Sequence, residues 1–341
     1  MRTTCYLLVA IAMIEFVTAQ VAYAQSLPIT KSTALNPRDK TAIRNYVKEW
    51  VELLREGSDR EIGEAKRQLN KPIRRDATDY FLIEYRRALG PKLRELFASE
   101  PAQKRDIIRI NVMIVAFELR DTDSSMLLVL GLKDKNPAVR YWSANAVGNF
   151  GNSKIQLKVE QQKDVLKSLG KALESEKVET VFQQLMLAMV DLNISDARLA
   201  VLDVLNKRVE VHMARPQIPI AAEEKCMASL IVRMVQEKNV PAEQIRDFTR
   251  AAARYLKLCA ALMEQQAVPQ SVIDDYKKMI ERADDSLRFL VQQQNVDVPK
   301  SFVKPAGHIR LSKWSELLDQ AMEWQLLLIE KLGYKTEKLK I

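Results

Sequence analysis

The side chains that could build a catalytic centre, a metal site or a thiol switch are few in this chain. It holds two histidines, His212 and His308, far apart in sequence. Neither has a second His, Cys or carboxylate at the spacing a zinc site needs, so no metal and no cofactor is expected. A GxSxG elbow, a phosphate-binding glycine loop and a CxxC pair are absent. His308 falls in a segment bearing Pro299, Pro305 and Gly307, which reads as a loop over 295–310. A loop histidine there either overhangs a cleft or stays solvated, and solvation is the default. The acid pairs Asp274-Asp275 and Asp284-Asp285 sit in helical stretches rich in Lys and Arg. They read as solvated faces with partners four residues away, not as an acid/base pair.

Two further groups carry potential chemistry. Cys226 and Cys259 fall in helices expected over 222–238 and 242–263, turning at Asn239 to Pro241. In such a hairpin they are offset by roughly 7.5 Å along axes 8–10 Å apart. A disulfide needs Cα atoms within about 7 Å, so buried free thiols are expected. Around Cys259, the residues Ile245, Phe248, Ala252, Tyr255, Cys259 and Leu262 step by three and four along one face. Arg246, Arg250, Arg254 and Lys257 lie almost opposite. Glu243 and Asp247 are placed to pair with Arg246 and Arg250, whereas Arg254 and Lys257 have no acid within four residues on that face. The stripe is either a solvent face or a weak anion-binding surface.

The elements that position these residues read as helices throughout. Glycine is only 9 of 341 residues and aromatics are 6%, while Leu, Ala, Glu, Lys and Gln are plentiful, a helical composition. Asn36-Pro37 is an N-cap followed by proline at the first helical position. Ile43, Tyr46, Val47, Trp50, Leu53 and Leu54 follow at helical spacing, up to Gly57. Later helices are expected over Asp59–Leu69, from Asp76 to Gly90-Pro91, and over Pro91–Ala98. Three segments then overlay as second helices of successive hairpins, beginning at Ile107, Ala138 and Thr180. The chain closes on an amphipathic helix, Ser312–Leu332, with Trp314, Leu317, Leu318, Ala321, Trp324, Leu328 and Leu332 on one face. Its two tryptophans either cap the stack or anchor a ligand. Tyr334 to Ile341 holds three lysines and is expected to fray.

One stretch is more specific. Between 124 and 151 an apolar helix ends at Lys133 and a charged turn carries Asp134, Asn136 and Pro137. A second helix then begins with Val139-Arg140, continues through the small residues Ser143, Ala144 and Ala146, and ends at Gly148 to Gly151. This unit resembles the short HEAT repeat of bacterial HEAT-like proteins, with Asp134, Pro137, Val139 and Arg140 matching that pattern. The resemblance implies an all-α fold, an α-solenoid of HEAT-like antiparallel helical hairpins with a less regular helical C-terminal part. It also implies that Asp134 and Arg140 serve a structural ladder and no catalysis. A hairpin of this kind buries its apolar face only by stacking on neighbours.

The resulting organisation is a signal peptide over 1–24, an N-terminal helical segment over 25–75, HEAT-like repeats over 76–211 and a C-terminal region over 212–341. Arg2, the apolar run Tyr6–Ile14 and Ala22-Tyr23-Ala24 carry the signal-peptide reading, and Cys5 lacks a lipoprotein context. An exported, periplasmic or extracellular protein is expected, with no transmembrane anchor. The formal charge is +9, which favours anionic partners or simply serves solubility. Together these features point to a non-enzymatic repeat protein that binds or scaffolds a macromolecule, either a protein or an acidic polymer. The alternatives are a helical-toroid enzyme acting on polysaccharide and an anion-binding protein using the basic helix face. A toroid enzyme needs an aromatic-lined cleft with clustered His, Tyr, Arg or carboxylate groups, and with 6% aromatics and two isolated histidines the chain supplies little of that.

Overall fold

Helix α1, Pro37–Glu56, begins on a reciprocal cap. Asn36 Oδ1 accepts the Asp39 N–H at 2.9 Å, Asp39 Oδ2 accepts the Asn36 N–H at 3.0 Å, and Pro37 opens the helix. Its buried stripe is Ile43, Tyr46, Val47, Trp50, Val51 and Leu54. The structure is a computed structural model that describes residues 28–339 except 74–76, 100–104, 121, 152–156, 193 and 238. The expected signal peptide, 1–24, and its Cys5 lie outside the described residues, as does part of the Gly151–Gln162 connection. The chain divides into two compact units, Met1–Leu119 and Arg120–Ile341.

In the first unit α1 is followed by α2 (Asp59–Asn70), α3 (Asp79–Ser99) and α4 (Arg105–Leu119). Ser58 and Glu61 cap α2 as Asn36 and Asp39 cap α1. The turn between α1 and α2 needs Gly57. A Cβ there would meet Glu61 Cβ at 2.8 Å and the Leu53 carbonyl oxygen closer still. The last carbonyls of α2 are taken up from either side, Gln68 by Tyr46 Oη and Leu69 by Tyr85 Oη, both at 2.7 Å. The helix break expected at Gly90-Pro91 does not occur, because α3 runs through Pro91. An internal proline costs about 3 kcal/mol. Leu89, Leu93, Leu96 and Phe97, all buried, offset it at roughly 1.5–3 kcal/mol per large apolar side chain. Helix α1 packs on α2 and α3, and α2 on α4.

The second unit holds α5 (Ser125–Gly131), α6 (Pro137–Gly151), α7 (Val159–Ser175), α8 (Glu179–Asp191), α9 (Ser195–Ala214) and α10 (Ala221–Gln236). It continues with α11 (Ala242–Glu264), α12 (Ile273–Gln292), α13 (Pro305–Arg310), α14 (Trp314–Leu332) and α15 (Thr336–Leu339). Helices α6, α8, α10 and α12 pack in succession as one layer. In the other, α5 packs on α7, α9 on α11, and α11 on α14. This two-layered ladder is an α-solenoid, and no strand occurs among the described residues. Gly148 allows its close approach, since a Cβ there would lie 3.3 Å from Ala188 Cα.

Three local expectations are corrected. Helix α11 packs most extensively on α12, not on the preceding α10. Its buried residues, from Phe248 through Ala253, Leu256 and Ala260 to Met263, extend well round the helix, so it takes neighbours on several sides. Part of the expected loop 295–310 is helix α13, started by Pro305 at its first position. The lysine-rich tail is held as far as it is described. Tyr334 and Leu339 are buried, and the Leu339 carbonyl accepts from Gln325 Nε2 at 2.8 Å.

Candidate functional site

The repeat-like residues Asp134, Pro137, Val139 and Arg140 lie at the turn into α6 and its first residues. Asp134 Oδ1 accepts the Asn136 N–H at 2.8 Å and Asn136 Oδ1 accepts the Ala138 N–H at 2.9 Å, so two side chains tie down the turn before α6. Pro137 opens α6 and Val139 is buried. Arg140 Nη1 donates to the carbonyls of Asp134 and Lys135. Its Nε and Nη2 grip the Glu176 carboxylate at 2.7 and 2.9 Å. Arg140 thus fastens the start of α6 to the end of α7. Burial raises the Glu176 carboxyl, but the Arg140 hydrogen bonds and the Val178 and Lys177 amides outweigh it and hold the group below its ordinary value.

The basic stripe on α11 is not a free face. Arg254 is 9% exposed, donating from Nη1 to the Asn206 carbonyl and pairing through Nη2 with Glu210 of α9. Lys257 Nζ donates to Gln325 of α14 at 3.3 Å. Arg250 pairs with Asp247, and Arg246 lies over the Tyr334 ring at 5.7 Å. The acid for Arg254 comes from the neighbouring helix α9, which spacing along α11 alone does not show. Similar rungs join Arg233 to Asp191 at 2.8 Å and Arg282 to Glu224 at 3.0 Å along the other layer. These three arginines pair across neighbouring helices of the solenoid.

The same packing assembles a buried polar centre that spacing along the chain does not reveal. Glu223 of α10 is 0% exposed, and its Oε1 is shared by Arg208 Nε and His212 Nε2, the latter at 2.9 Å. Burial raises the Glu223 carboxyl, but hydrogen bonds and charge from His212 and Arg208 prevail and hold it below its ordinary value. It is therefore an acceptor, and His212 Nε2 carries the hydrogen. Glu179 of α8 approaches Arg208 Nη2 at 3.8 Å; burial, then repulsion from Glu223, raises its carboxyl. Tyr255 and Tyr276 set their rings edge-on to His212 at 6.4 Å. Glu223 Oε2, His212 Nδ1 and both tyrosine hydroxyls have no hydrogen-bond partner among the described residues. Cys226 and Cys259 are free thiols buried beside this centre. Burial raises both, so they are poor nucleophiles.

His308 and Asp284 also belong to the interior rather than to solvent. His308 is 8% exposed, with Nε2 at 3.3 Å from Gln320 Oε1 and Nδ1 at 3.5 Å from Glu316. Asp284 accepts the Trp324 indole N–H at 3.1 Å and Arg288 Nε at 2.6 Å, and burial raises its carboxyl. Trp324, Leu317, Ala321 and Leu328 are fully packed, while Trp314 and Leu318 are half-buried. The terminal helix therefore docks by one tryptophan rather than two.

An open concavity lies in the first unit. A concavity of about 560 Å³ runs between α1 and α3, lined by Lys40, Arg44, Asn45, Val47, Lys48, Glu84, Arg87, Ala88 and Lys92. The cross-helix pairs Lys40–Glu84 at 3.4 Å and Arg55–Glu95 at 3.1 Å show the two helices running parallel. Lys40, Arg44 and Lys48 recur every fourth residue, a like-charge row that costs a few tenths of a kcal/mol per pair in an isolated helix. Opposite them, Ala88 keeps the groove open. Glu84 Oε1 is shared between Lys40 and Arg87, the latter at 2.8 Å. Lys92 pairs with Glu95, but Arg44 and Lys48 have no ion pair among the described residues. The groove thus carries more cations than its one carboxylate neutralises. A row of like charges at i, i+4 is legible in sequence, but only the fold shows that α3 faces it.

No protein-family model matches the sequence, and no curated protein does. Among solved structures, one engineered protein aligns at 15% identity with a TM-score of 0.42, over 70% of this chain and 97% of its own. A second aligns at 13% identity with a TM-score of 0.43, over 87% of this chain and 76% of its own.

Proposed function

We propose that this chain is an exported, non-catalytic binding or scaffolding protein of the helical-repeat class that takes an anionic macromolecular partner along the α1–α3 groove. The observation that carries this reading is the arrangement of Lys40, Arg44, Lys48, Arg87 and Lys92 around one concavity, where Arg44 and Lys48 have no ion pair among the described residues. Packed helices spread contacts over a long surface, which suits an extended partner better than a single reacting centre. The HEAT-type reading of 124–151 is supported by Asp134 fixing the turn and Arg140 clamping Glu176.

An enzymatic reading gains one argument, since His212, Tyr255, Tyr276, Arg208 and Glu223 cluster in the second unit. It is the weaker reading because His212 and Glu223 are fully buried, and a substrate would have to part the packed helices to touch them. The test uses the mature chain as bait in envelope extract beside an Arg44→Glu/Lys48→Glu variant of equal melting temperature. The proposal expects a macromolecule retained by the native chain and lost by the variant. Equal retention by both would overturn the assignment of the groove.

A further inference from the structure

Resting on that reading of the groove, we infer that its occupant is a linear chain of phosphate groups, bound through its charges and not through rings or side chains. Three features of the groove lead there. Lys40, Arg44 and Lys48 are separated by four residues each, so their Cα atoms rise about 6 Å per step and span about 12 Å of α1. A single small anion reaches one or two of these groups, whereas a chain with regularly repeating charge meets all three and continues to Lys92 across the groove. The lining includes no aromatic residue, so nothing there stacks on a base or a sugar ring, the usual device for recognising the rings of such polymers. The mixture of arginine forks and lysine point charges is the donor set that holds phosphate oxygens.

Glu84 has a distinct role in this account. Its one oxygen ties Lys40 and Arg87, and its side chain is only 15% exposed. It positions two cations at the groove wall and opposes an incoming polyanion. Removing its charge therefore strengthens binding, an effect that damage to the fold does not produce.

The experiment measures binding of medium-length polyphosphate to the full chain across a range of salt concentrations. With three to five phosphates engaged, log Kd should depend on log salt with a magnitude of about 2 to 3.5. Arg44→Ala and Lys48→Ala should each weaken binding and reduce that slope by about 0.7. Arg60→Ala, at an exposed position on α2 outside the groove, should change neither. Glu84→Gln should tighten binding several-fold, and orthophosphate at the same phosphorus concentration should not compete. If poly-glutamate of equal charge binds as tightly and through the same residues, the phosphate assignment fails while the anion-binding groove stands. If Arg44→Ala and Lys48→Ala bind polyphosphate like the native chain, the groove assignment fails with it.

Discussion

His212 Nε2 lies 2.9 Å from Glu223 Oε1, and neither side chain is exposed. The pair joins α9 to α10, with Arg208 on the same oxygen. Removing one partner of a buried ionic set leaves the other uncompensated, at roughly 3–5 kcal/mol. Glu223→Ala should therefore lower unfolding stability in urea by that amount, mainly through the midpoint. A change below about 1 kcal/mol, the range of an exposed pair, would show that water reaches the site.

Tyr255→Phe separates two states of the same centre. The Tyr255 hydroxyl is buried without a hydrogen-bond partner among the described residues, and leaving such a group unsatisfied costs about 1–3 kcal/mol. Its removal should leave stability unchanged or raise it by up to about 1 kcal/mol. A clear loss of stability would mean that an ordered water satisfies the hydroxyl.

The Arg140–Glu176 clamp has a definite sign with pH. Glu176 has its folded value lowered from an ordinary 4.5. Its contribution is complete above that value and fades as pH falls through the lower, folded one. The stability difference between the native chain and Glu176→Gln should thus be constant near neutrality and shrink in acid. A difference that grows toward low pH would contradict the clamp. Arg140→Lys should not restore stability, because an ammonium cannot reproduce the two-pronged grip.

Trp324 docks the terminal helix by packing edge-on against Phe302 at 4.8 Å and donating to Asp284. Trp324→Ala should cost about 3–5 kcal/mol and expose an apolar face, seen as a lower melting temperature and early elution from a sizing column. An unchanged melting temperature with monomeric elution would make this helix a detachable element.

The division between what sequence conveys and what it hides follows from the range of each signal. Asn36-Pro37, the apolar spacing of α1 and the turn from Asp134 to Arg140 act within a few residues, and each forms as read. Pro91 misleads because burial along α3 outweighs a local penalty. His212 and Glu223 are separated by a proline-bearing break, and Arg254 meets Glu210 from another helix. Periodicity places a residue on a helix face but does not say what faces it. For that reason the sequence shows the cations of the α11 stripe but not Glu210 or Gln325 beside them, and only the fold sets α3 against Lys40, Arg44 and Lys48.

The most direct measurement of the central claim is lysine-acetylation footprinting of the full chain with and without saturating polyphosphate at low salt. The account predicts protection concentrated at Lys40, Lys48 and Lys92, with Lys257 and Lys338 unchanged. Protection centred on Lys257, or spread evenly over all lysines, would contradict the assignment of recognition to the α1–α3 groove.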